Sequence, residues 1–244
     1  LSLLSVALIW EFGARAFVTN SLFIVPLSTI AAEGLNQWRQ GALQHHIAVS
    51  ALEVILGFGI GAGAGVLFGL LMAASKTFRD YADPWVSGLY STPIIALTPL
   101  LILLFGIDMP SKVAVIVLLV IFPVLINTFV GLTAVDVHLL DVARTIGASQ
   151  RQTLTKNRLP AARPVVVGGV RLGVGRALIG VVVGELVAAK AGLGYLITIS
   201  AQTFNTAGVY LGVLILAISG VLAMELLKAV ERWLAPWRQN EAGA

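Results

Sequence analysis

Four stretches of this chain contain no Asp, Glu, Lys or Arg: the residues between Glu53 and Lys76, between Asp83 and Asp108, between Lys112 and Asp136, and between Lys190 and Glu225. Each is long enough for the roughly 20 apolar residues that a helix needs to cross a bilayer. The last has room for a loop as well. Lipid offers no partner to a backbone N–H or C=O, so apolar runs of this length and pattern leave the helix as the available fold. The expected architecture is therefore all-α and polytopic, one transmembrane unit over residues 1–244. Composition agrees, with 58% hydrophobic and 11% charged residues against about 25% charged in soluble domains.

The pattern places helices near 2–19, 46–74, 82–106, 111–135, 161–189 and 207–233, about six spans. The chain starts at Leu1, already inside an apolar run and without the basic segment that opens a signal peptide. Residues 1–19 are thus read as a first membrane helix trimmed at its start. Asn20, Pro26, Gly34 and Gly41 mark 20–45 as a loop, with a short interfacial helix around Trp38. The segment 136–160 is too polar to span.

The net charge is +4, but Lys and Arg sit in loops between apolar runs. That placement reports membrane topology rather than nucleic-acid binding. One set of loops holds Lys76 and Arg79, then Arg144, Arg151, Lys156, Arg158 and Arg163, then Arg232 and Arg238; the other holds Arg39, Lys112, Lys190 and Arg15. The positive-inside rule puts the first set, and with it both termini, in the cytoplasm. Six spans satisfy this, and Trp85, Trp233 and Trp237 then fall where aromatic belts form.

Gly57, Gly61, Gly65 and Gly69 recur every fourth residue, with Gly59 and Gly63 beside them; Gly169, Gly173 and Ala177, and Gly180 with Gly184, repeat the interval later. Small residues at this spacing form a flat stripe on which another helix packs closely, and a smooth surface also suits sliding. Pro93 and Pro99 in the third run and Pro123 in the fourth predict kinks.

Ionisable groups within spans are costly and face protein or water. The fifth run carries Arg171, Arg176 and Glu185. At 100° per residue, Arg171 and Glu185 share a face while Arg176 points away from Glu185. Two readings of Arg176 stand: it lines a pathway and attracts an anion, or it pairs with Glu53, Glu185 or a group of another chain. Asn127, Thr128, Ser91 and Thr92 are polar candidates for the same pathway, or satisfy their own helices. Glu225 and Lys228, three apart, are placed to pair.

No cysteine is present, which excludes disulfide and thiolate chemistry. His45, His46 and His138 lie outside the spans, and no acidic or histidine pair recurs at ligand spacing within them. An intramembrane enzyme is not supported. The phosphate loop G-x-x-x-x-G-K-[ST] is also missing. Any coupling to ATP must reside in another chain.

The loop 136–160 reads DVHLLDVARTIGASQRQTLTKNRLP. A short helix over Leu139–Ile146, ended by Gly147, and a second basic helix to Asn157 are expected, with Pro160 opening the next span. Such a projection is shaped to dock in a groove on another protein. Here the sequence resembles the inner-membrane permeases of bacterial ABC importers, whose loop carries E-A-A, three residues, G, nine residues, I-x-L-P. This chain has Asp141-Val142-Ala143, three residues, Gly147, nine residues, then Asn157-Arg158-Leu159-Pro160. Val142 and Asn157 depart from the pattern; the spacing is kept. The runs 91–107, 122–132 and 175–197 are similar to the subfamily importing nitrate, bicarbonate, taurine, aliphatic sulfonates and pyrimidine or flavin precursors.

The resemblance implies a type I importer permease fold in the bacterial inner membrane. It implies two ABC ATPase subunits that bind ATP and Mg, docked on the 139–157 coupling loop through Asp141, Val142, Ala143, Arg144, Gly147, Ala148, Leu159 and Pro160. It implies a second permease copy forming a homodimer, and a periplasmic or lipid-anchored substrate-binding protein. This chain itself would hold no cofactor and hydrolyse nothing. Selection of a small anion would fall to the binding protein, with Arg176, Asn127, Ser91, Thr92 and Glu185 as pathway candidates. A secondary transporter or channel uncoupled from ATP is the alternative, and it would not need the docking loop.

Overall fold

The computed structural model describes residues 2–17, 23–134, 145, 147, 149, 152–187 and 189–234. Its elements are helices α1 (Ser2–Phe17), α2 (Leu27–Arg39), α3 (Ala42–Ala74), α4 (Lys76–Ser91), a 3-10 turn (Ile94–Leu97), α5 (Thr98–Phe105) and α6 (Met109–Thr133). A π-helical segment (Thr153–Arg158) then leads into α7 (Leu159–Val187), followed by α8 (Leu193–Gln202) and α9 (Thr206–Leu234). Trp38 lies on α2, the short helix expected within 20–45.

The glycine stripes organise the core. A side-chain carbon added to Gly57 would meet Ile116; at Gly61 it would meet Val120, at Gly65 Val124, and at Gly69 Thr128. The partner advances by four residues each time, so α3 and α6 run parallel in one register. On the other side of α6, Gly169 lies over Asn127, Gly173 over Val124, Gly180 over Ile116 and Gly184 over Lys112. Here one number rises as the other falls, so α7 is antiparallel to α6. Helix α6 is sandwiched between two flat stripes, and Ile116, Val120, Val124, Ala177 and Val181 form the buried layer. The neighbouring Gly59 and Gly63 meet nothing within 4 Å. Of the two rows on α3, only the Gly57–Gly69 row packs against another helix of this chain among the described residues.

Parallel α3 and α6 have a topological consequence. Two helices that cross a bilayer in the same direction require the chain between them to cross back. That chain is α4, the 3-10 turn and α5. The single kinked helix expected over 82–106 is therefore corrected to a broken one: α4 and the 94–105 segment meet at 85°. The break falls at Thr92–Pro93, where proline lacks the donor to continue the helix and Thr92 is extended (φ −75°, ψ 134°). Four helices are each long and apolar enough to span, and the bent pair makes a fifth span. The remaining expected span, α1, has 16 residues described and packs through Trp10 on Val25 and Tyr210.

A second correction concerns the junction before α7. Pro160 is the second residue of α7, as expected, but no break separates α7 from the helical segment before it. The helix runs without interruption from Thr153 to Val187, 35 residues, or about 50 Å at 1.5 Å per residue. A hydrocarbon core is about 30 Å thick, so part of this rod stands outside it. The C-terminal ends of α3 and α6 and the start of the rod lie at one end of the bundle. Lys76, Arg79, Lys156 and Arg158 gather there.

Candidate functional site

Two constellations stand at opposite ends of α7. At the loop end, Gly147 has φ +76° and is exposed. This is the left-handed conformation that glycine adopts without a Cβ penalty, as the expected helix stop requires. Two residues later the chain re-enters a helix through a reciprocal cap. Ser149 N–H donates to Gln152 Oε1 (2.8 Å), and Gln152 N–H donates to Ser149 Oγ (3.2 Å). Thr153 N–H adds a bond to Ser149 O (2.9 Å). This S-x-x-Q capping box satisfies two donors that a helix start otherwise leaves free. The S-x-x-Q spacing of Ser149 and Gln152 is the local sequence signal for it. Leu159 and Pro160 belong to the continuous rod, Leu159 half-buried and Pro160 exposed. Asp141, Val142, Ala143, Arg144 and Ala148, with the expected Leu139–Ile146 helix, lie outside the described residues.

At the far end of α7 is a buried polar cluster. Lys112, counted from sequence among the loop charges, is instead buried and ion-paired with the fully buried Glu53. Its stem lies against Gly184, where a side chain would exclude it. Glu185 is 1% exposed and does not meet Arg176. Ser50 Oγ–H donates to Glu185 Oε1 (2.5 Å), and Gly194 N–H donates to Glu185 Oε2 (2.6 Å). Leu193 N–H donates to Ser50 Oγ (2.8 Å), and Gly192 N–H donates to His46 Nδ1 (3.1 Å). That histidine nitrogen therefore carries no proton.

The N–H groups of the cap residue Gly192 and of the first two residues of α8, which no intrahelical carbonyl can take, are thus received by side chains of α3 and α7. Gly192 has φ +119°, and a side chain at Gly192 or Gly194 would run into Glu185. Ser50 and His46 are four apart on one face of α3. Nothing in their local sequence marks them as caps for a helix more than a hundred residues later.

The other pathway candidates are dispersed. Asn127 Nδ2–H donates to Pro123 O (2.8 Å), and its Cβ fills the space over Gly169. Thr128 bonds Val124 O (2.7 Å) and is buried. Ser91 and Thr92 bond Ser87 O (2.8 Å) and Gly88 O (3.0 Å), closing α4 at the bend. Arg176 is exposed beside Leu172 and Ile179, and among the described residues it makes no hydrogen bond or ion pair. The expected Glu225–Lys228 pair is formed (2.6 Å) on the exposed surface. Among the described residues, no group of three or more His, Cys, Asp or Glu is arranged to hold a metal ion.

Comparison with known proteins places this geometry. The family described as binding-protein-dependent transport system inner membrane component matches residues 65–237. The putative aliphatic sulfonates transport permease of Bacillus subtilis is 38% identical over 96% of this chain and 85% of its own length. The formylaminopyrimidine transport permease of Halalkalibacterium halodurans is 30% identical over 98% and 94%. The taurine transport system permease of Escherichia coli is 31% identical over 94% and 85%. An inward-facing structure of the MetNI methionine ABC transporter shares the fold. Its TM-score is 0.68 at 18% identity, over 78% of this chain and 95% of the other.

Proposed function

The chain belongs to the binding-protein-dependent transport system inner membrane components, and from that premise we propose that it carries a small organic anion of the sulfonate class into the cytoplasm. Two copies of the chain form the pathway, and two separate ATPase subunits, which bind ATP and Mg, dock on the 139–157 loop. A substrate-binding protein delivers the solute at the opposite end. The observation that carries the coupling is local. A left-handed Gly147 and a Ser149–Gln152 cap lead directly into a rod continuous with α7. Force applied at the loop would pass into a membrane helix with no loop between Thr153 and Val187. Asp141, Val142, Ala143, Arg144, Ala148, Leu159 and Pro160 complete the docking surface in this reading.

The anion class rests on relatives named for sulfonates and taurine and on Arg176. A guanidinium partway along a span, exposed among apolar side chains, is costly against lipid. A water-filled pathway between copies removes that cost and gives the charge a use. Within one chain, the groove lined by Phe68, Phe78, Tyr81, Trp85, Leu118 and Phe122 is apolar, unsuited to a charged solute. This favours a pathway made by two copies. The end of the bundle that carries Lys76, Arg79, Lys156 and Arg158 faces the cytoplasm in this arrangement.

The test is affinity purification in mild detergent with identification of what accompanies the chain. An ATPase subunit co-purifies with the native chain and with Gly147→Asn, because asparagine tolerates the left-handed conformation, and is lost with Gly147→Val, because a β-branched residue does not. A chain isolated alone in several gentle detergents would refute the coupled reading in favour of transport without ATP.

A further inference from the structure

The buried cluster at the far end of α7 is used by nothing in the proposal above, yet four hydrogen bonds join its members. Its parts come from three elements. Glu185 belongs to α7, His46 and Ser50 to α3, and the N–H groups of Gly192, Leu193 and Gly194 to the start of α8. Glu185 touches both other elements, one carboxylate oxygen on each, and Ser50 does the same through its hydroxyl, which donates to Glu185 and accepts from Leu193 N–H. The carboxylate is sealed from solvent, so its loss leaves Ser50 Oγ–H and Gly194 N–H without the acceptors they have in the native chain. Buried unmade bonds are costly enough that such a unit moves together or not at all.

We infer that Glu185 is a positioning residue that ties the start of α8 to α7 and α3. Displacement of the rod at the loop end is thereby delivered to the 189–192 turn at the opposite end. The inference rests on the coupled-transporter reading and adds to it where the motion goes. Lys190 on that turn is exposed and pairs only loosely with Asp108 (3.7 Å), so a reporter there disturbs little. The alternative is a merely structural cap, which would stabilise the bundle without relaying anything.

The chain has no native cysteine, which makes Lys190→Cys a clean site for an environment-sensitive fluorophore. The complex co-purified with its ATPase is labelled, and fluorescence is compared without nucleotide and after trapping with ATP and vanadate. The expected result is a nucleotide-dependent signal in the native background. In Glu185→Ala it falls at least fivefold while ATP hydrolysis stays within twofold. Glu185→Gln regains at least half, because its amide oxygen still accepts from Gly194 N–H and its amino group still reaches Ser50.

Undiminished signal in Glu185→Ala would overturn the inference, as would parallel loss of hydrolysis and signal. If Glu185→Ala does not assemble, Ser50→Ala decides, with a drop of at least twofold expected and an unchanged amplitude refuting. A native complex that hydrolyses ATP but shows no signal at position 190 would refute this inference and leave the importer reading intact. Absence of any ATPase would refute the reading beneath it.

Discussion

Replacing one glycine in each of the two rows of α3 tests the packing directly. At Gly65 an added Cβ would lie 2.8 Å from the Ile121 carbonyl oxygen and 2.8 Å from Val124 Cβ. Carbon atoms in contact settle about 3.5–4.0 Å apart. Neither obstacle can swing away, because one is backbone and the other is attached to it. Helices α3 and α6 must therefore separate by roughly 1 Å locally, loosening contacts one turn on either side. Overpacking of this kind costs about 1–3 kcal/mol. At Gly63 an added Cβ meets nothing within 4 Å.

Both substitutions gain the same helix preference, about 1 kcal/mol, so the difference between them isolates the contact. A chain of this size shifts roughly 2–4 °C per kcal/mol. Gly65→Ala should then melt roughly 2–12 °C below Gly63→Ala. The measurement is the fraction of monodisperse protein remaining in detergent after heating. Equal midpoints, or a lower one for Gly63→Ala, would refute the parallel packing of α3 on α6.

Three further outcomes are expected. Lys112→Met strands the buried Glu53 carboxylate and should cost about 3–5 kcal/mol. Lys112→Met with Glu53→Gln should recover most of it, and thermal stability in detergent would show whether the two changes couple. Gly192→Ala forces a residue with φ +119° to carry a methyl group directed at Glu185, and should abolish well-folded protein, read as loss of the monodisperse peak. Arg176→Gln, assembling normally, should lower sulfonate uptake by proteoliposomes at least tenfold; unchanged uptake would remove Arg176 from the pathway.

The features visible in the sequence are those written in local spacing. Gly57, Gly61, Gly65 and Gly69 announced a flat stripe, and the stripe packs. Charge-free runs announced helices, and Pro93 announced a disturbance, though not an 85° bend, which depends on where α5 must land against α6. Lys112 was misread because a lysine at the edge of an apolar run looks like a loop charge; only Glu53, on a different helix, shows otherwise. The cap of α8 was beyond reach for the same reason. His46 and Ser50 gain meaning only when α3 is laid beside the Gly192–Gly194 turn. The continuity of the loop helix with α7 was hidden by Pro160, whose missing N–H is tolerated just after a π-helical segment. The 175–197 run, quoted for its resemblance, now has a physical account in Glu185 and the two glycines that leave room for it.

The acid–base–acid order of Glu53, Lys112 and Glu185 along the chain also sets a timetable for biogenesis. Glu53 leaves the ribosome roughly sixty residues before Lys112, which at 5–20 residues per second is roughly 3–12 s. During that interval α3 carries a carboxyl group with no ammonium to meet it. Newly made α3 must wait near the interface or inside the insertion machinery, and the second carboxyl arrives only after Lys112. The step that retires this liability is the entry of α6, so a nascent chain halted before Lys112 should be recognised by membrane quality control as unfinished.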